Sequence, residues 1–256
     1  MSTASFRFHG ELSAFLARQN RGSLFAYRCA RAANLKNAIE ALGVPHTEIG
    51  ALTVNGKPAT LQRTVRDGDT VEVFPPSAEM GSVPIFAIFV ADAHLGGLAR
   101  FLRMLGFDTL HENAFSDETI RRLAADEGRI VLTRDRELLK CADVARGCYV
   151  RALKPEAQLR EVAARYDLAA RAQPFTLCLK CNLRLQPVAK AAVADRLPDQ
   201  VRAQQQDFWR CAGCDRVYWP GSHYRRMRAA LSQVPGFTGI PWFPDPLDGN
   251  ALLPSA

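Results

Sequence analysis

The sequence predicts an α/β chain of three modules, and three observations carry that prediction. Residues 1–74 read in the order strand, strand, helix, strand, strand. Residues 85–91, Ile-Phe-Ala-Ile-Phe-Val-Ala, form a continuous apolar run followed by alternating helix and strand patterns, and two Cys-x-x-Cys pairs stand toward the C-terminus. The composition agrees: 256 residues, 48% hydrophobic and 23% charged, is a globular makeup rather than a disordered or fibrous one. No apolar run approaches the ~20 residues of a membrane span, and residues 1–10 lack a basic stretch with an apolar signal core. The chain is expected to be soluble and cytoplasmic, with no membrane partner.

The first module is expected over residues 1–80. Phe6 and Phe8 alternate with polar neighbours, a second apolar stretch spans 24–27, and a helix over 34–42 stops at Gly43. Residues 51–54 then turn at Asn55-Gly56, a hairpin signal, and Asp67-Gly68-Asp69 leads into the alternating strand 71–74. That order is the order of a β-grasp domain. Its segment Val54-Asn55-Gly56-Lys57 and the run from Val65 to Pro75 resemble the ubiquitin-like sulfur carriers, although the chain continues through Pro75-Pro76 where those carriers end in Gly-Gly. A domain of this kind implies an adaptor role, binding a protein partner, RNA or the neighbouring domain.

The second module is expected over 84–172, opening after a Pro- and Ser-containing break. An uninterrupted apolar strand is the mark of a parallel sheet buried on both faces. A helix follows with Leu95, Leu98, Phe101, Leu102 and Leu105 on one face and Gly106 as its stop; the costly Gly96-Gly97 pair inside it implies close packing. Next come a strand at 109–111, a helix capped by Ser116 and ending near Gly128, a strand at 129–133, a short helix after Asp135, a strand at 148–152 and a helix at 155–171. In such sheets, ligands bind where loops leave the carboxyl ends of the strands. Asp92 follows the first strand and Asp135 follows Val131-Leu132-Thr133, so both are expected at that edge. Paired carboxylates there suit Mg²⁺ or Mn²⁺ and phosphodiester hydrolysis, with Asp117 or Glu118 as a third ligand. Arg100 and Arg103, three apart on the helix, have the spacing of two contacts along a nucleic-acid backbone.

The runs from Val90 to Thr109 and from Arg129 to Leu139 resemble the Mut-seven C-terminal RNase family over roughly residues 85–231. The resemblance implies a PIN-like nuclease domain with an appended zinc ribbon and, in front, a ubiquitin-like domain. It points to Asp92, Asp117 and Asp135 as the acidic metal-binding set, and to Arg100, Arg103 and Arg134 as basic residues contacting RNA. Glu118, Glu137 and Asp143 are equal candidates for a fourth acid.

The third module is expected over 173–235. Cys178-Leu179-Lys180-Cys181 and Cys211-Ala212-Gly213-Cys214 have the spacing of two zinc knuckles, a closed structural Zn²⁺ site. The other three of the seven cysteines, Cys29, Cys141 and Cys148, read as buried small apolar residues. Residues 190–206 read as a polar helix or insertion. From residue 173 onward the chain has ten basic and six acidic groups, +4 of the total of +7. The run from Val217 to Arg228 interleaves aromatics with His223, Arg225 and Arg226, a combination that binds single-stranded RNA. Residues 236–256 are expected to be extended or disordered. The expected function is a metal-dependent ribonuclease. The alternatives are a non-catalytic RNA-binding or translation-associated protein on a nuclease scaffold, and a partner protein related to sulfur carriers.

Overall fold

The structure is a computed structural model; it describes residues 1–76, 87–232, 234, 236 and 237. The chain gathers into two compact units, Met1–His94 with Asn113–Arg151, and Leu95–Glu112 with Ala152–Ala256. These units cut across the expected module boundaries. Strands and helices are numbered in chain order.

In the first unit, β1 (Ser2–Phe8), β2 (Phe25–Cys29), β3 (Ala51–Val54), β4 (Lys57–Pro58) and β5 (Thr70–Phe74) form a sheet of order β2-β1-β5-β3-β4. The centre is parallel, with Phe6 opposite Val71 and Phe8 opposite Val73, and the other pairs are antiparallel. This is the expected β-grasp. The period-two pattern of β1 buries Ala4, Phe6 and Phe8, against which α1 (Leu35–Ala41) lays Leu35 and Ile39. Asn34 caps α1 by accepting the Asn37 N–H at 2.8 Å. At the hairpin tip, Asn55 and Gly56 have φ of 53° and 75°, the left-handed pair that the Asn-Gly signal supplies.

The same unit contains three parallel strands, β6 (Phe89–Ala91), β8 (Ile130–Thr133) and β9 (Gly147–Tyr149), ordered β6-β8-β9. All residues of β6 and β8 are buried, as the uninterrupted apolar runs require. Residues 77–86, which include the start of the expected first strand, lie outside the described residues. Ser116 caps α3 (Asp117–Glu127), which ends at left-handed Gly128, and Asp135 caps α4 (Arg136–Lys140).

Polar contacts join the β-grasp to these strands. Glu48 is fully buried and accepts the Tyr149 N–H at 2.8 Å, with Arg151 at 3.5 Å from its other oxygen. His46 meets the Val144 carbonyl at 3.0 Å, and the rings of Phe15 and Tyr149 lie 5.2 Å apart. The guanidinium of Arg136 sits 4.9 Å from the Phe15 ring centre and that of Arg151 4.8 Å. The Glu48 carboxylate is thus bonded across the two parts of this unit.

In the second unit, α2 (Gly96–Met104) and α5 (Pro155–Tyr166) pack together, and the glycine pair serves packing. A Cβ at Gly97 would meet Pro155 at 2.6 Å, and one at Gly96 would meet the His111 ring at 3.0 Å. A short strand β7 (Thr109–Leu110) follows α2. Farther on, β10 (Leu185–Val188), β11 (Phe208–Cys211) and β12 (Val217–Tyr218) make an antiparallel ribbon of order β10-β11-β12. The segment expected to be a polar insertion instead buries Val193 and Leu197 against Phe208 before forming α6 (Asp199–Gln204). The last helix is α7 (Ser222–Ser232). Phe237 is buried, and the expected extended tail lies outside the described residues from 238 onward. No helix among the described residues is long and apolar enough to cross a membrane.

Candidate metal centre and acidic edge

The two Cys-x-x-Cys turns fold identically. In each, the N–H of the first cysteine donates to the carbonyl five residues on, Leu183 for Cys178 and Arg216 for Cys211. The N–H four residues on returns to the cysteine carbonyl, from Asn182 and Asp215 at 2.9 Å each. Asn182 and Asp215 have φ of 63° and 59°, a left-handed position that Asn and Asp tolerate better than most side-chain-bearing residues. This repeated geometry brings the Sγ atoms of Cys178, Cys181, Cys211 and Cys214 within 4.8 Å of one another. Cys178 and Cys214 are 3.6 Å apart; a tetrahedral thiolate site with metal–sulfur bonds near 2.3 Å has sulfurs about 3.8 Å apart. Four sulfurs at that spacing could hold a metal ion, and as four ligands they would complete a tetrahedral site.

Tyr218 and Arg103 support the first knuckle. The Tyr218 hydroxyl lies 3.1 Å from Cys178 Sγ and accepts the Leu179 N–H at 3.2 Å. Burial raises the Cys178 pKa, but the Tyr218 hydroxyl and the N–H groups of Cys181 and Lys180 outweigh it and bring the thiol down to about 7. Hydrogen bonding to Cys214, together with burial, pushes Cys181 up to about 12, while burial and the bond to Cys178 raise Tyr218. Arg103 is 5% exposed and donates to the carbonyls of Thr109 (2.8 Å), Leu179 (3.1 Å) and Lys180 (2.8 Å). The expectation that Arg103 contacts RNA is therefore corrected: its donors are already committed to backbone carbonyls beneath the knuckle. Asn182 adds a tie, accepting the Thr109 N–H at 3.0 Å and donating to Asp108 at 2.6 Å.

At the carboxyl edge of β6 and β8, one hydroxyl connects the two expected acids. Thr133 Oγ1 donates to Asp92 Oδ2 at 2.7 Å and accepts the Asp135 N–H at 2.9 Å. The other oxygen of Asp92 accepts the Ala93 N–H at 2.6 Å, and Asp135 Oδ1 accepts the Glu137 N–H at 2.7 Å. Both carboxylates are thus held as acceptors by short local bonds. Asp117 stands exposed in the first turn of α3, without a hydrogen bond or ion pair among the described residues. Among the described residues, the cysteine quartet is the group of three or more potential ligands close enough to share one ion; Asp92, Asp117 and Asp135 are not gathered in this way. Of the candidates for a fourth acid, Glu137 pairs with Lys140 at 2.7 Å and Asp143 with Arg121 at 2.8 Å, whereas Glu118 lines a hollow with Arg121, Arg122 and Asp143. The Arg121 guanidinium lowers the Asp143 pKa.

Arg100, Arg225 and Arg226 are exposed and Arg134 is half-buried; the side chain of His223 lies outside the described residues. Cys29 and Cys148 are buried as expected. Cys141 is only half-buried and donates its thiol to the Glu137 carbonyl at 3.4 Å. The sequence reading missed Thr133, because a threonine at a strand end reads as a β-former. Tyr218, one of the aromatics that follow the second knuckle, packs on the cysteine site through its hydroxyl.

Known proteins resemble this chain in two segments. A Mut7-C RNAse domain model matches residues 87–231, and a Mut7-C ubiquitin model matches residues 1–81. No curated protein matches. Similar solved structures include SAMP1 from Haloferax volcanii, 18% identical over 30% of this chain and 98% of that chain, with a TM-score of 0.24. A putative molybdopterin converting factor subunit 1 from Pyrococcus furiosus is 16% identical over 30% of this chain and 99% of that one, with a TM-score of 0.24. The first model spans more than half of the chain, and the chain belongs to the Mut7-C RNAse family.

Proposed function

We propose that the protein is a metal-dependent ribonuclease whose acidic edge at β6 and β8 hydrolyses RNA phosphodiester bonds, and whose cysteine quartet holds a structural Zn²⁺. The observation that carries this reading is the Thr133 hydroxyl binding Asp92 and the Asp135 backbone together. The Thr133 hydroxyl and the Ala93 and Glu137 N–H groups give both side chains local donors at the carboxyl edge of the sheet, where ligands bind in such folds. Hard oxygen donors suit Mg²⁺ or Mn²⁺, and Asp92 and Asp135 would hold the ion, with Asp117 joining from α3. An ion held there would supply water activation and stabilisation of charge on a phosphate. Asp92 and Asp135 then orient; Arg100, Arg134, Arg225, Arg226 and His223 bind the RNA strand. The β-grasp is a fixed adaptor, with its exposed surface left for a protein partner. Reduced, metal-bound cysteines suit the cytoplasm.

Cleavage of mixed RNA by the full chain should depend on added Mn²⁺ or Mg²⁺ and be lost in Asp92→Asn. Elemental analysis should return about one zinc per chain. The exposed Asp117 and the cation-paired Glu137 and Asp143 favour a second reading, an RNA-binding protein that does not cleave. RNA binding without cleavage in either ion would establish that reading.

A further inference from the structure

Within the second unit, the ribbon borders a hollow of about 500 Å³, inside the range of roughly 300–1,000 Å³ typical of small-molecule sites. Its walls combine the aromatic rings of Trp219, Phe175 and Tyr224 with the guanidinium groups of Arg100 and Arg216, and no acidic residue lines it among the described residues. Arg196 also lines it but is held by Asp215 at 3.0 Å. Arg100 and Arg216 are exposed, and neither has an ion pair among the described residues. Two guanidiniums without a carboxylate call for an anion; flat aromatic walls call for a flat ring. A nucleotide offers both.

We propose that this hollow takes one unpaired nucleotide of an RNA strand, its base against the aromatic wall and its phosphate against Arg100 and Arg216. The hollow is built rather than incidental. A Cβ at Gly221 on its rim would come within 2.6 Å of Trp219 Nε1, so glycine there leaves room for the indole edge. The Tyr218 ring beside it is anchored through its hydroxyl at Cys178, and Phe175 and Tyr224 pack with ring centres 4.2 Å apart. A base can reach such a wall only when it is unstacked, so the site discriminates single strands from duplex. The inference deepens the RNA reading of the ribbon and rests on it, but it concerns holding the strand and not cutting it.

The test is fluorescence anisotropy of a labelled ten-nucleotide RNA with the full chain, without added Mg²⁺ or Mn²⁺, as a single strand and annealed to its complement. The parent should prefer the single strand. Trp219→Ala should weaken that binding roughly 5- to 150-fold, the range for losing one stacked base, while Trp219→Phe should keep most of it. Because Trp219 also packs near Phe208, the exposed pair Arg100→Ala and Arg216→Ala provides an independent reading. Their combination should weaken single-strand binding and reduce the salt slope by about 0.7 for each lost phosphate contact. Unchanged binding in the arginine double variant overturns the proposal. So does adenosine monophosphate bound as tightly as the oligonucleotide, which would make the hollow a free-nucleotide site. A protein that shows the preference yet never cleaves RNA contradicts the nuclease reading alone.

Discussion

Thr133 donates its hydroxyl to Asp92 across two parallel strands at 2.7 Å, and the same oxygen receives the Asp135 N–H at 2.9 Å. Thr133 is fully buried, while Asp92 is half-buried and Asp135 exposed. Thr133→Val keeps the shape and removes the bonds. It should cost about 1–3 kcal/mol in a denaturant melt, the sum of two lost hydrogen bonds at roughly 0.5–1.5 kcal/mol each. If the acidic edge is catalytic, cleavage should also fall while RNA affinity holds. Wild-type stability in Thr133→Val would show that the hydroxyl organises nothing.

Arg103 predicts a link between α2 and the metal. Its guanidinium bonds the Leu179 and Lys180 carbonyls inside the first knuckle, and burial lowers its pKa from the ordinary value. Arg103→Ala should destabilise the second unit by roughly 3 kcal/mol, since hydrogen bonds to a charged group and buried packing are lost together. Zinc should then pass to a chelator faster than from the parent. Equal rates would mean that the knuckle holds its shape without α2.

Asp69 predicts an acid limb to the stability of the β-grasp. The Arg63 side chain, at 2.7 Å, lowers the Asp69 pKa, as do the Arg66 N–H and Asn55, against the opposing effect of burial. A carboxyl depressed in the folded state contributes stability that is fully present above its unfolded pKa of about 3.9 and is lost as pH falls through the folded value. Asp69→Asn should therefore be less stable than the parent at pH 7, with the difference shrinking below pH 4. A difference that stays constant from pH 7 to pH 2 would assign the effect to shape rather than charge.

Much of this architecture was legible from local pattern. Alternation placed β1 and β5, the apolar runs placed β6 and β8, Asn55-Gly56 gave the hairpin, and the cysteine spacing gave the quartet. Asp92 and Asp135 were legible as strand-end acids because topology alone brings the ends of adjacent parallel strands together. What stayed hidden depends on long-range partners. Arg103 looks like any helix arginine until Leu179 and Lys180, 76 and 77 residues away, close over it. Glu48 reads as a loop acid, yet it is buried because Tyr149 and Arg151 supply its donors from 101 and 103 residues away. The hollow beside Trp219 is likewise assembled from α2, the ribbon and α7, and no short window of sequence contains it.

The most direct test of the central claim compares the parent with Asp135→Asn on mixed RNA in Mn²⁺, measuring cleavage and affinity on the same preparations. A carboxylate that holds the metal acts on the reacting phosphate and contributes no attraction to the strand. Asp135→Asn should therefore lose about 100-fold or more in cleavage rate and bind RNA equally or slightly more tightly, with zinc content unchanged. An Asp135→Asn protein that cleaves as the parent does would contradict the nuclease assignment at its centre.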